Sequence, residues 1–213
     1  MKITALSDIH NKQISGKLLE NDIKSSDLVV ISGDITSFAS AKRASVILDE
    51  LRSLNNAIAG ITGNCDTEEI AALLKEYGIS VNGTHQKICG INIIGVNGVE
   101  SGRFHGKFYN ELTTAAATIS QDEPLILITH QPCAGTKISD RGGYDGGSCG
   151  IRKFITQRKP MLAFSGHIHE AFGQDKIGPT TLINPGAYTE GRYAVVEVDI
   201  KTQKTINIEF KTC

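Results

Sequence analysis

Leu28-Val29-Val30-Ile31-Ser32-Gly33-Asp34 has the composition of a buried strand that ends in a polar corner. Four consecutive apolar residues without alternation suit a strand covered on both faces. The glycine lets the chain turn sharply there and brings an aspartate to the strand's carboxyl end. The same event recurs on either side. Ile3-Thr4-Ala5-Leu6 runs into Ser7-Asp8-Ile9-His10, and Ala57-Ile58-Ala59-Gly60-Ile61 runs into Thr62-Gly63-Asn64-Cys65-Asp66. Further on, Leu125-Ile126-Leu127-Ile128-Thr129 stops at His130, and Met161 to Ser165 stops at Gly166-His167-Ile168-His169.

Helical spacing fills the intervals. Leu18, Leu19 and Ile23 predict a helix over residues 15–24, and Ala44, Ile47, Leu48, Leu51 and Leu54 predict one over 41–54. Others follow through Leu73, Leu74 and Tyr77, over 110–119, and from a Ser148 cap through Ile151, Phe154 and Ile155. Residues 79–99 alternate apolar positions with glycines and predict antiparallel hairpins over one end of the sheet, with His85 as an exposed turn histidine. The glycine-rich 135–147 stretch around Arg141, Tyr144 and Asp145 suits either a mobile flap or a disordered surface insert. The tail, through Ile177, Thr180 to Asn184, Tyr193 to Ile200 and Thr205 to Phe210, predicts antiparallel strands that close a second sheet. Asp66 is expected to cap the helix that follows it, with Glu69 completing a capping box.

With 213 residues, 40% of them apolar and no linker or repeat, the chain is expected to form one domain over 1–213. A formal charge of -1, with both signs dispersed, supplies no dense basic face for a nucleic acid polymer. Five widely spaced cysteines without a C-x-x-C pair argue against disulfides and structural zinc. No apolar run has the length of a signal peptide or a membrane span, so a cytoplasmic protein without membrane association is expected, its oligomeric state open.

The chemistry lies in the corners. Asp8, His10, Asp34, Asn64, His130, His167 and His169 all fall where strands end, and ligands of open α/β sheets bind at carboxyl strand ends, so the five corners are expected on one rim of one sheet. In Asp8-x-His10 and His167-x-His169, residues two apart point the same way and can converge. Imidazoles, carboxylates and one amide suit borderline or hard divalent cations, and seven ligands are too many for one ion. Two ions sharing a carboxylate would polarise a phosphoryl group and acidify a water, which favours phosphate-ester hydrolysis.

Taken in order, Asp8-x-His10, Gly33-Asp34, Gly63-Asn64-x-Asp66, His130 and Gly166-His167-x-His169 resemble the motifs of the calcineurin-like metallophosphoesterases. Gln131-Pro132, His169-Glu170 and Asn184-Pro185-Gly186 resemble small cap-less prokaryotic members and their cyclic-nucleotide phosphodiesterase relatives. The resemblance implies a four-layer α/β/β/α sandwich of two mixed β-sheets flanked by helices. It implies two divalent ions, manganese foremost and iron, zinc, cobalt or nickel also accepted. Asp8, His10 and His169 would hold one, Asn64, His130 and His167 the other, and Asp34 would bridge them, with a bridging hydroxide attacking phosphorus in line. Asp34, Asn64 and His130 then count as catalytic as well as ligating. The pattern departs at Cys65, where many members carry a histidine that protonates the leaving oxygen. His105, between Arg103 and Lys107, is a candidate substitute. The expected activity is that of a metal-dependent phosphoesterase on a small phosphorylated substrate, a diester such as a small or cyclic nucleotide ahead of a monoester. The alternative is a non-catalytic scaffold, because the retromer scaffold subunit resembles this fold.

Overall fold

The computed structural model describes residues 1–100 and 106–213. In chain order the elements are β1 (Lys2–Leu6), α1 (Lys17–Ser25), β2 (Leu28–Ser32), α2 (Ala41–Leu54), β3 (Ile58–Ile61), α3 (Glu68–Glu76), β4 (His85–Ile88) and β5 (Ile91–Val96). They continue with α4 (Lys107–Ala115), β6 (Leu125–Thr129), α5 (Cys149–Arg158), β7 (Leu162–Phe164), β8 (Gly173–Ile177), β9 (Thr180–Asn184), β10 (Arg192–Asp199) and β11 (Lys204–Thr212).

Two sheets form, in the orders β11-β10-β1-β2-β3 and β4-β5-β6-β7-β9-β8. Each is mixed: β1, β2 and β3 run parallel with β10 antiparallel to β1, and β5, β6, β7 and β9 run parallel between antiparallel edges β4 and β8. The continuous apolar runs follow from this stacking. Val29 and Ile31 of β2 pack with Leu19, Ile47 and Leu48 of the helices, while Leu28 and Val30 face the second sheet with Ile126 and Ile128. Leu125 and Leu127 turn the other way, onto Leu112 of α4 and Phe154 of α5. Three cores thus separate four layers, α/β/β/α. Each fully buried Leu or Ile contributes about 1.5–3 kcal/mol, so burying both faces of a strand gains far more than its ladder alone.

Three expectations change. The tail divides between the sheets: β8 and β9 complete the second, while β10 lies beside β1 with Ile3 opposite Val196 and so joins the first. The parallel β1 has one free edge, and the antiparallel β10–β11 hairpin fills it. Residues 85–96 do form a hairpin, but its second strand is a fully buried inner strand of the second sheet. His85 is exposed yet opens edge strand β4, with Nε2 2.8 Å from Asn92 Oδ1. Ser148 caps α5 as expected, accepting from the Ile151 N–H at 3.2 Å. No helix among the described residues is long and apolar enough to cross a membrane.

Candidate metal centre

The five corners meet, but not on one sheet. Asp8 and His10 follow β1, Asp34 follows β2 and Asn64 follows β3, all in the first sheet, whereas His130 follows β6 and His167 and His169 follow β7, in the second. The carboxyl ends of both parallel sets face one cleft where the sheets abut. Cross-sheet bonds hold the join: the His167 N–H donates to Asp8 Oδ2 at 3.2 Å, and His130 Nδ1 lies 2.8 Å from the Ser32 carbonyl.

The corners are conformationally costly. Asp8, His10, Asp34 and His167 all have φ between 47° and 69°, a left-handed region costing a non-glycine residue about 1–2 kcal/mol. Long backbone bonds hold them there. Asp8 N–H reaches the Gly33 carbonyl at 3.1 Å, and His10 N–H reaches that of Asp34 at 3.0 Å. Steric fit is equally strict at Gly63 and Gly166: a Cβ on the first would overlap Asp34 Oδ1, and one on the second would overlap Ser7 Oγ and lie 2.6 Å from Asp8 Oδ2. Only hydrogen at these positions lets the corners touch.

The side chains converge closely. His169 Nε2 is 3.3 Å from Asp8 Oδ1 and 3.4 Å from His10 Nε2, and His10 Nε2 is 3.8 Å from Asp34 Oδ2. His130 Nε2 stands 3.3 Å from Asp34 Oδ2 and 3.1 Å from Asn64 Oδ1. Donor atoms of Asp8, His10 and His169, of His10, Asp34 and Cys65, and of Asp8, Asp34 and His130 form groups compact enough to surround an ion. His167 sits at the margin, its ring 5.1 Å edge-on from that of His130. His105 lies outside the described residues.

The electrostatics fit cations. Asp8 is 1% exposed and Asp34 3%, and among the described residues their only ion-pair partners are histidines. Burial raises the pKa of Asp34, but hydrogen bonding and charge from His130 outweigh it and bring it down to about 2. Burial likewise opposes charge on His130, and Asp34 overcomes it, so the imidazole sits above its ordinary value. Its Nδ1–H is committed to the Ser32 carbonyl, so Nε2 points between two acceptor oxygens. Either a proton or a metal ion must stand between them. Asp8 hydrogen-bonds and attracts His169, which is raised, while burial and the neighbouring His130 lower His167.

Supporting residues escaped the sequence pattern. Ser37 Oγ, 2.9 Å from His10 Nδ1, fixes that ring. Asp66 does not cap α3, whose N-cap is Thr67. Its carboxylate instead accepts from the N–H groups of Gly63, Ile35 and Thr36 and from Thr36 Oγ1, at 2.8–3.1 Å, tying the β2 and β3 corners together. A loop aspartate three residues after a glycine signals either role, and only the neighbouring corner distinguishes them.

The glycine-rich stretch is a knit turn rather than a loose flap. Arg141 N–H donates to the Tyr144 carbonyl at 2.7 Å, Asp145 accepts from Gly135 and Gly147, and Gln131 Nε2 holds the Gly146 carbonyl at 3.0 Å. Beside His167 it walls a groove of about 330 Å³. A larger cleft of about 450 Å³ lies at the opposite strand ends, between the residues preceding β7 and β9 and the β10–β11 turn.

A family model, the calcineurin-like phosphoesterase superfamily domain, matches residues 1–202. An uncharacterised protein of Methanocaldococcus jannaschii is 30% identical over 198 residues, spanning 87% of this chain and 88% of its own. A solved Thermus thermophilus structure superposes with a TM-score of 0.72 at 18% identity, covering 99% of this chain and 98% of that one. A dimetal phosphatase of Danio rerio superposes with a TM-score of 0.64 at 11% identity, covering 93% and 92%. At such identities the structural likeness is one of fold.

Proposed function

The chain belongs to the calcineurin-like phosphoesterase superfamily, and from that premise we propose that it is a metal-dependent phosphoesterase that hydrolyses a small phosphate diester. The observation that supports this most directly is the pair of buried carboxylates, Asp8 and Asp34, which face imidazoles and no lysine or arginine among the described residues. Such a cluster is stable in neutral solution when divalent cations neutralise it. Asp8, His10 and His169 would hold one ion and Asn64, His130 and His167 the other, with Asp34 between them. The oxygen and nitrogen donor set suits Mn²⁺, with Fe, Zn, Co and Ni as competitors. Bound there, two such ions would polarise the phosphoryl oxygens and lower the pKa of a water held with them.

The chain's own part is positioning. The Ser32 carbonyl fixes the tautomer of His130, Ser37 aims His10, and Asp66 locks the two corners that carry Asp34 and Asn64. The ester bond breaks as a water oxygen bonds to phosphorus, and the leaving alcohol needs a proton, which Cys65 is ill suited to give. A monoester dianion gains from fixed cations close to the centre, whereas a diester carries a single charge. Among the described residues no lysine or arginine pairs with Asp8 or Asp34, and Arg141 is the one lysine or arginine lining the adjoining groove, which favours the diester. A cytoplasmic setting agrees with five unpaired thiols, and a net charge of -1 favours a small substrate over a nucleic acid polymer.

The test is hydrolysis of bis-nitrophenyl and mononitrophenyl phosphate by the purified protein with and without Mn²⁺, beside Asp34→Asn. Metal-dependent turnover, faster on the diester and abolished in the variant, is expected. No turnover with any of the five metals, together with no metal found by elemental analysis, would overturn the proposal in favour of a scaffold.

A further inference from the structure

The groove beside His167 carries chemistry that the metal centre does not use. Val99, Glu100, Gln131, Arg141, Tyr144 and Ile168 are among its walls, and its volume of about 330 Å³ suits a mononucleotide-sized ligand. Its acidic side chains are occupied. Glu100 accepts from Ser148 Oγ at 2.9 Å and from the Lys107 N–H at 3.0 Å, and Asp145 accepts from the N–H groups of Gly135 and Gly147. Arg141 is the one lysine or arginine among the lining residues, and its guanidinium makes no hydrogen bond or ion pair with the described residues. Tyr144 is 72% exposed. An aromatic ring that bare has no role in packing the turn, whose shape comes from the backbone bond between Arg141 and Tyr144 and from the Asp140 carboxylate on the Gly143 N–H. The turn is thus held from below by Gln131 and Asp145, while its two tip side chains have no side-chain partner among the described residues.

We propose that Arg141 and Tyr144 form the subsite for the organic part of the substrate: Tyr144 offers its face to a flat heteroaromatic base, and Arg141 pairs with a phosphoryl oxygen between that base and the His167 edge of the centre. The substrate class is therefore a nucleoside phosphodiester rather than an alkyl or sugar diester. The assignment rests on the phosphoesterase reading of the centre, and it makes both side chains specificity determinants rather than members of the reacting set. Base stacking on an aromatic side chain is sequence-tolerant, so the subsite selects for a base without choosing strongly among them.

The chain has no tryptophan, so Tyr144→Trp places a single fluorophore in the groove and reports binding without turnover. Titrated with AMP, a product of nucleoside-diester cleavage, the Mn²⁺-loaded variant should be quenched, and ribose 5-phosphate or inorganic phosphate at the same concentration should leave the emission unchanged. In parallel, Tyr144→Ala should lower the kcat/KM ratio of an adenosine diester over a methyl diester by about 5- to 140-fold, the range expected for loss of one stacking face. Arg141→Ala should raise KM for the adenosine diester, and Arg141→Lys should recover only part of it because a point charge lacks the guanidinium fork. Thermal melts superimposable on wild type would show that the turn survives each change. Equal quenching by AMP and ribose 5-phosphate, or an unchanged adenosine-to-methyl ratio in Tyr144→Ala, overturns the subsite. AMP quenching in a protein that hydrolyses no ester would instead retain the subsite and overturn the phosphoesterase reading.

Discussion

Replacing Cys65 with histidine should accelerate hydrolysis of esters with poor leaving groups, and the structure sets the size of the effect. Burial, then the hydrogen bond and charge of Asp34, push the thiol up to about 12. A proton donor works best when its pKa lies near the working pH, and this one is about five units too weak at neutrality. Cations bound alongside would draw it down toward thiolate, which has no proton to give. In neither condition is Cys65 a useful acid. An imidazole has an ordinary pKa of about 6.5, and Asp34 and Asp66 would favour its protonated form at this corner. The exchange gives up the thiol's contacts with Asp34 and Asn64 but keeps the corner's backbone bond. The N–H of residue 65 donates to Asp34 Oδ1 at 2.8 Å through the backbone, and the side chain is only half-buried. A positioned general acid contributes about 10²- to 10⁴-fold, or roughly 3–5 kcal/mol of barrier, when the leaving group is an alkoxide, and almost nothing when it is a nitrophenolate. The assay is kcat for a series of diesters running from nitrophenols to simple alkanols, with wild type, Cys65→His and Cys65→Ala. Wild type and Cys65→Ala should share a steep dependence on leaving-group basicity. Cys65→His should flatten it, with all three converging at the nitrophenyl end. Loss of nitrophenyl-ester activity in Cys65→Ala as severe as in Asp34→Asn would refute the reasoning, because it would make the thiol a working group.

Stripping the metal with a chelator should abolish activity and lower Tm; a ligand present at 100 times its Kd stabilises by about 2.7 kcal/mol, or roughly 5–10 °C for a chain of this size, and calorimetry with and without Mn²⁺ measures it. Proton and cation compete for the space between His130 Nε2, Asp34 Oδ2 and Asn64 Oδ1, so metal affinity measured by calorimetric titration should fall as pH drops. Asp66→Ala strands the buried N–H groups of Gly63, Ile35 and Thr36 and should cost about 3 kcal/mol, with Asp66→Asn milder because one acceptor oxygen survives; equal urea midpoints for the two variants would argue against the corner-locking role. Away from the centre, Asp22 is opposed by burial but held below its ordinary pKa by Lys2, Lys211 and the Tyr193 hydroxyl, at 2.9–3.0 Å. Its stabilisation is therefore complete above about pH 4 and lost as pH falls below that. Urea melts at pH 7 and pH 3 should show a smaller acid loss in Asp22→Asn than in wild type.

Much was legible in the order of residues. Unbroken apolar runs such as Val29 to Ile31 demand cover on both faces, so layered α/β architecture follows from composition and period alone. The polar residue at the end of each run was equally visible, because a strand's carboxyl end is where the chain can stop being buried. What the sequence left open depends on contacts between segments distant along the chain. It could not say that Asp8, Asp34 and Asn64 belong to one sheet and His130 and His169 to another, since strand period carries no information about which sheet a strand joins. Nor could it assign β10 and β11, whose alternation suits either sheet's edge, or separate a helix-capping Asp66 from one that clasps a neighbouring corner. The candidate ligands were readable because each is local to its strand end, whereas the cleft that joins them exists only where two sheets abut. Gly63 and Gly166 could be placed at turns from sequence, but their close approach to Asp34 and Asp8 is a fact of the packed chain.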